Sequence, residues 1–230
     1  MPQPARPAAL GCRSHSGWAA IVALGGSVQS PEVLRRTRIE IADPAIRGSK
    51  QPYHFAEQME FLQAETFLAQ CAESTARLAN DALRGILDSL NTRAYHAAAF
   101  GITLASGRAL PDLKAILASH ALIHTAEGEF YRDRLRGAAQ SCGLAVTQVK
   151  ERELYDWAPN RLGLARADLE RRVTELGKAI GPPWSQDQKC AALVAWLALA
   201  ETGVTPTIDT RAQNTRAAAR RSIRPQPPRP

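Results

Sequence analysis

Cysteine is scarce and scattered in this 230-residue chain: Cys12, Cys71, Cys142 and Cys190 form no C-x-x-C pair. That argues against both a zinc knuckle and a disulfide framework, and for reduced, mostly buried thiols in a cytoplasmic protein. Long apolar runs are missing too. The longest, "CAALVAWLALA", has eleven residues, about half of what a membrane-crossing helix needs. No internal repeat is visible. Acid is nearly absent from one region: Thr205 to Pro230 holds Asp209 against Arg211, Arg216, Arg220, Arg221, Arg224 and Arg229. The segment therefore carries +5 of the formal +7, leaving +2 for the other 204 residues. A nearly neutral body excludes a broad basic face, so any electrostatic hold on phosphates belongs mainly to the tail.

What is present fits a soluble globular domain, with 45% hydrophobic and 22% charged residues. The opening "MPQPARP" reads as disordered over residues 1–8, the folded domain as 9–203, and residues 204–230 as a disordered basic tail. "WAAIVALGGS" follows Arg6 and Arg13 and ends in small residues like a secretion signal, but a polar turn stands just ahead of it. Strands are expected over Ala9 to Cys12, Gly17 to Leu24 and Val33 to Ala42, with period-2 alternation at Ile39 and Ile41. A 3.6-residue period then runs from His54 to Leu90 through Leu68, Cys71, Thr75, Leu78, Ala82, Ile86 and Leu90. Such a helix would span about 50 Å, so a break near Ala64 or a projecting end is expected. "YHAAAFGITLAS" reads as a fourth, buried strand, Pro111 as opening a helical turn, and Ser119 as the cap of a helix ending at Ser141. "LAVTQVKE" supplies a fifth strand. Helices follow over Arg166 to Ala179 and Ser185 to Glu201, the second opened by a Ser185/Gln188 capping box. The order is α/β, a five-stranded mixed sheet in which a three-strand meander is joined by two further strands through helical crossovers.

Two stretches carry a family likeness. "LGCRSHSGWAAIVAL" is similar to the opening hairpin of RuvC-type Holliday-junction resolvases of the ribonuclease H-like superfamily, and "DQKCAALVAWLAL" to their last helix. With the element order, the resemblance spans residues 9 to 201. It implies a ribonuclease H-like fold and catalysis by carboxylates converging on two divalent ions. Residue by residue, the aspartate position of the first strand holds Arg13, the end of the fourth strand offers Thr103 and Ser106 but no acid, and Asp187 alone keeps its carboxylate. The resemblance thus implies a degenerate site, lost or rebuilt.

The residues for a rebuilt site stand in "SHALIHTAEGEFYR". His120, His124 and Glu127 recur at i, i+4 and i+7, so they project from one side of a helix and are the candidate ligands of one divalent metal ion. His124, Glu127 and Asp187 are the candidate catalytic residues, with Glu129 an alternative general base, and Arg13 and His15 the candidate substrate contacts. Tyr53 and His54 in "QPYH" point to the same end of the sheet or to simple loop packing, Glu40 to solvent, and Trp184 to wedging the last helix. The leading expectation is a module without the two-metal site, associated with nucleic acid through its tail or with protein, and not with a membrane. The rival is a divalent-metal-dependent hydrolase, phosphodiester-cleaving in one form. A nucleotide binder of the actin or kinase type would need a second half that is absent.

Overall fold

The structure is a computed structural model, described over residues 5–105 and 109–202. Ser106 and the expected tail lie outside the described residues. Five strands form one sheet in the order β3-β2-β1-β4-β5: β1 Arg6–His15, β2 Trp18–Gly26, β3 Pro31–Glu40, β4 Tyr95–Leu104 and β5 Ala145–Lys150. The first three pair antiparallel, while β4 runs parallel to both β1 and β5. This is the mixed sheet expected from the sequence. Gly17, at φ +82° in the two-residue loop between His15 and Trp18, makes the tight first turn. Strand β1 starts three residues earlier than expected. Pro7 is tolerated because β1 is paired there with β4 alone, the β2 ladder beginning at Ala8.

Among the described residues there are seven α-helices: α1 Pro52–Ala56, α2 Phe61–Asn91, α3 Leu113–Leu117, α4 His120–Ser141, α5 Leu154–Leu162, α6 Arg166–Lys178 and α7 Gln186–Thr202. The long helical stretch does break, but at residues 57–60, which separate α1 from α2. Leu78 and Ala82 are half-buried, and Ala79 and Leu83 carry the inner face instead. Helix α5 was not expected, since Pro159 lies inside it. One face of the sheet, with Ala8, Leu10 and Cys12 of β1, packs on α2 and α4. The alternate residues of β1 face α7, which buries Cys190 to Leu199 without interruption. On its far side α7 meets Leu154 and Ala158 of α5 and Leu169 and Val173 of α6. Trp184 does act as a wedge, on α6: its ring lies over Gly177 and its Nε1 donates to the Val173 carbonyl at 2.9 Å. The backbone N–H of Ser185 donates to Gln188 Oε1 at 2.7 Å, one half of the expected capping box.

Because β1 and β4 are parallel, their carboxyl ends share one edge of the sheet. The start of α4, after β4, and the start of α7 come to that edge from opposite faces.

Candidate functional site

Arg13, near the end of β1, is the centre of the first group. Its guanidinium faces α7 and forms a two-point pair with Glu151, Nε to Oε2 at 3.1 Å and Nη2 to Oε1 at 2.7 Å. Its remaining nitrogen, Nη1, donates to Asp187 Oδ1 in the first turn of α7. His15 Nε2 lies 2.9 Å from the same oxygen. A fixed fork of donors suits two carboxylates at once, which a lysine could not match. The hydrogen bonds to Glu151 head the causes that raise the Arg13 pKa above its ordinary value. Burial pushes Asp187 upward, but the hydrogen bonds and charges of His15 and Arg13 outweigh it and hold the carboxyl below its ordinary value.

That depression fixes a pH dependence. A carboxylate lowered on folding contributes stability above its unfolded-state pKa, about 3.9 for aspartate, and loses it as the pH falls through the folded value. The acid limb of the stability curve, measured by urea unfolding below about pH 4, is therefore expected to be shallower in Asp187→Asn than in wild type. An unchanged slope would remove Asp187 from the clamp.

The divalent ions that the family resemblance implies do not fit these residues. Hard cations need several oxygen ligands, and here the two acids are already bound to a fixed positive charge. Thr103, buried near the end of β4, brings no acid. Glu151 is the member of the group that the sequence reading missed. Its signal was its place directly after β5, masked by the charged run Lys150, Arg152 and Glu153. Next to the clamp, the His15 ring stacks on Trp18 with centroids 4.1 Å apart and planes 8° from parallel. The Arg38 guanidinium lies 3.8 Å from the Trp18 ring centre, and Arg38 pairs with the exposed Glu40 at 2.6 Å.

The second group lies on the α4 side. His120 and His124, one turn apart and exposed, approach through their Nε2 atoms to 3.1 Å. Glu127 was expected beside them as a metal ligand. It is instead buried at 3% exposure, and its Oε2 accepts from His54 Nδ1 at 2.9 Å and from the backbone N–H groups of Tyr53 and His54 at 3.1 and 3.3 Å. Burial raises the Glu127 pKa, against the lowering pull of His54 and those N–H groups. The third nitrogen is that of His54, whose ring centre is 4.7 Å from that of His124 and 5.5 Å from that of His120. Asp187 is on the opposite face of the sheet from this group, and Glu129 pairs with Arg132 at 3.1 Å. Between the Gly17 turn and α1 runs a groove of about 760 Å³ lined by Ser16, Arg47, Lys50, His54 and Phe55, among others.

Among solved structures, the chain is similar to T. thermophilus RuvC in complex with a Holliday junction substrate, at 10% identity and a TM-score of 0.49, covering 85% of this chain and 94% of that one. It is also similar to the Thermus thermophilus RuvC structure, at 9% identity and a TM-score of 0.48, over 85% and 95% of the two chains. No protein-family model matches the chain, and no curated protein matches it. No helix among the described residues is long and apolar enough to cross a membrane.

Proposed function

We propose that this chain is a ribonuclease H-like module in which an internal guanidinium clamp has taken the place of two-metal nuclease chemistry, and that it associates with nucleic acid. The observation that supports this reading is the position of Arg13, bound by Asp187 and Glu151 where the family resemblance calls for clustered free carboxylates. Beside it, His15, Trp18 and Arg38 form an aromatic and cationic stack. Groups of this kind hold single-stranded nucleic acid by base stacking and phosphate contact. Arg47 and Lys50 extend the positive charge along the neighbouring groove, and the six arginines of residues 205–230 add a mobile-ion-sensitive attraction of their own.

The test is fluorescence anisotropy with labelled single-stranded DNA and a labelled four-way junction, using the full chain. Neutralising three phosphates predicts a loss of affinity between 50 and 200 mM salt of about 40-fold on the duplex arms of the junction and about 20-fold on the single strand. Trp18→Ala is expected to weaken single-strand binding about 5-fold or more, and glutamine at the six tail arginines to flatten the salt dependence. No cleavage of either substrate is expected with magnesium or manganese. Absence of binding at about 10 µM protein and 50 mM salt would sink the nucleic-acid reading. Cleavage that disappears in Asp187→Asn would replace it with the hydrolase.

A further inference from the structure

We infer that His54, His120 and His124 form a binding site for one zinc-class divalent ion, with Glu127 as the buried carboxylate that orients His54. The inference is argued from the α4 side of the sheet, on the other face from the Arg13 clamp, and needs no nucleic acid; His54 also lines the groove that carries Arg47 and Lys50.

The geometry has three parts. One ring nitrogen from each histidine lies within 4.8 Å of the other two. Tetrahedral zinc with nitrogen ligands at 2.0–2.1 Å separates neighbouring nitrogens by about 3.3 Å. The His120–His124 nitrogens, 3.1 Å apart, already meet that spacing, and a side-chain adjustment of about 1.5 Å or less brings in the third. The rings meet at 67°, 79° and 84°, edge to face, so flat stacking does not explain their assembly.

The second part is the tautomer. Glu127 Oε2 already accepts from two backbone N–H groups, and the tautomer that fits the same accepting oxygen has His54 Nδ1 donating to it. The lone pair is then on His54 Nε2, free for a metal. A carboxylate behind a histidine in this way is the usual support of a metal-ligating imidazole, fixing its orientation and raising its basicity. Among the described residues the other Glu127 oxygen, Oε1, is buried and has no hydrogen-bond partner. A nearly buried carboxylate beside three imidazoles favours a cation there.

The third part is rigidity. The residues just before His54 are fastened to α4: the Tyr131 hydroxyl donates to the Ser49 carbonyl, and Tyr53 packs edge-on against Phe130 with centroids 6.1 Å apart. His54 is therefore held over the first turns of α4 by contacts that do not involve His120 or His124. Three protein nitrogens leave one position of a tetrahedral ion open to solvent, and the exposure of His120 and His124 agrees with that.

The experiment uses the full chain purified without a polyhistidine tag and stripped with a chelator, with zinc alone as the probe. A chromophoric chelator competes for the ion, and Co²⁺ substitution reports the ligand type by its visible spectrum. One equivalent of zinc is expected, with a tetrahedral cobalt spectrum lacking a thiolate charge-transfer band. His124→Ala and His54→Ala should each lower the affinity at least 100-fold, and Glu127→Gln 10- to 100-fold. His96→Ala, at an exposed position on β4, should leave it unchanged. His120→Ala, at an exposed position, checks the set should His54→Ala fail to fold. Stoichiometry near zero, or a zinc affinity indifferent to His120 and His124, would overturn the site, as would a cobalt spectrum with thiolate bands.

Discussion

Gly11→Ala is expected to lower the stability of the protein by about 4 kcal/mol, at the upper end of overpacking effects. A Cβ on Gly11 would lie 1.9 Å from the Ala191 carbonyl oxygen and 2.5 Å from the Ala195 backbone nitrogen. These are main-chain atoms of α7, so no side-chain rotation relieves the clash. The helix must lift, and its ten consecutive buried residues, Cys190 to Leu199, lift with it. Gly101 on β4 makes the same demand, with a Cβ placed 2.2 Å from the Val194 carbonyl oxygen. For a domain of this size the loss corresponds to a fall in Tm of roughly 8 to 16 °C. Gly85→Ala is the internal contrast: nothing lies within 4 Å of its Cβ, and removing a glycine from the interior of α2 should add up to about 1 kcal/mol. Calorimetry on the two variants reads both signs. A Gly11→Ala protein within about 1 kcal/mol of wild type would show that α7 does not rest on β1 as described.

Arg13→Met removes the cation while keeping most of the side-chain volume. Asp187 and Glu151 are then left as two unneutralised acids, and a loss of about 2 kcal/mol at pH 7 is expected, below the value for a fully buried pair because all three groups keep some contact with water. Arg13→Asp should be worse, about 3 kcal/mol, because three carboxylates then converge. Its distinguishing property is rescue. Such an acidic cluster should bind magnesium, and an ion at 100 times its Kd restores about 2.7 kcal/mol. Wild type should show no magnesium-dependent rise in Tm through this group. If wild type is stabilised by magnesium and Asp187→Asn abolishes the effect, the guanidinium does not hold the place of the ions.

Much of the architecture was legible because single-residue periodicities reflect burial on one face. The alternation around Ile39 and Ile41 marked β3, and the Ser185/Gln188 pair with the apolar run after it marked α7, whose burial on every side only the structure shows. The inner face of α2 was followed correctly at Leu68, Cys71, Ile86 and Leu90 but drifted at Leu78 and Ala82. There the helix turns Ala79 and Leu83 inward. Helix α5 was hidden by Pro159, which removes one N–H but leaves the rest of the turn free to form. The site was legible only in part. Arg13 and Asp187 could be paired through the family likeness, and His120 with His124 by helical spacing. Glu151 is 138 residues from Arg13, and His54 is brought to Glu127 across 73. Neither encounter has a local signature, since both are made by the parallel crossovers that bring distant strand ends to one edge.

The central position of α7 has a consequence for biosynthesis. All five strands precede Gln186 in the chain, yet the face of the sheet bearing Ala9, Gly11, Val22 and Leu24 is covered by α7. While the ribosome is still adding α5 and α6, that face has no partner, and a nascent chain at this stage presents an apolar sheet surface to chaperones and to neighbouring chains. Folding on the α2 and α4 side can run ahead during translation, whereas the α7 side must wait for the last of these helices to emerge. Slowing elongation between β5 and α7 should therefore favour aggregation, and faster delivery of α7 should favour the native sheet.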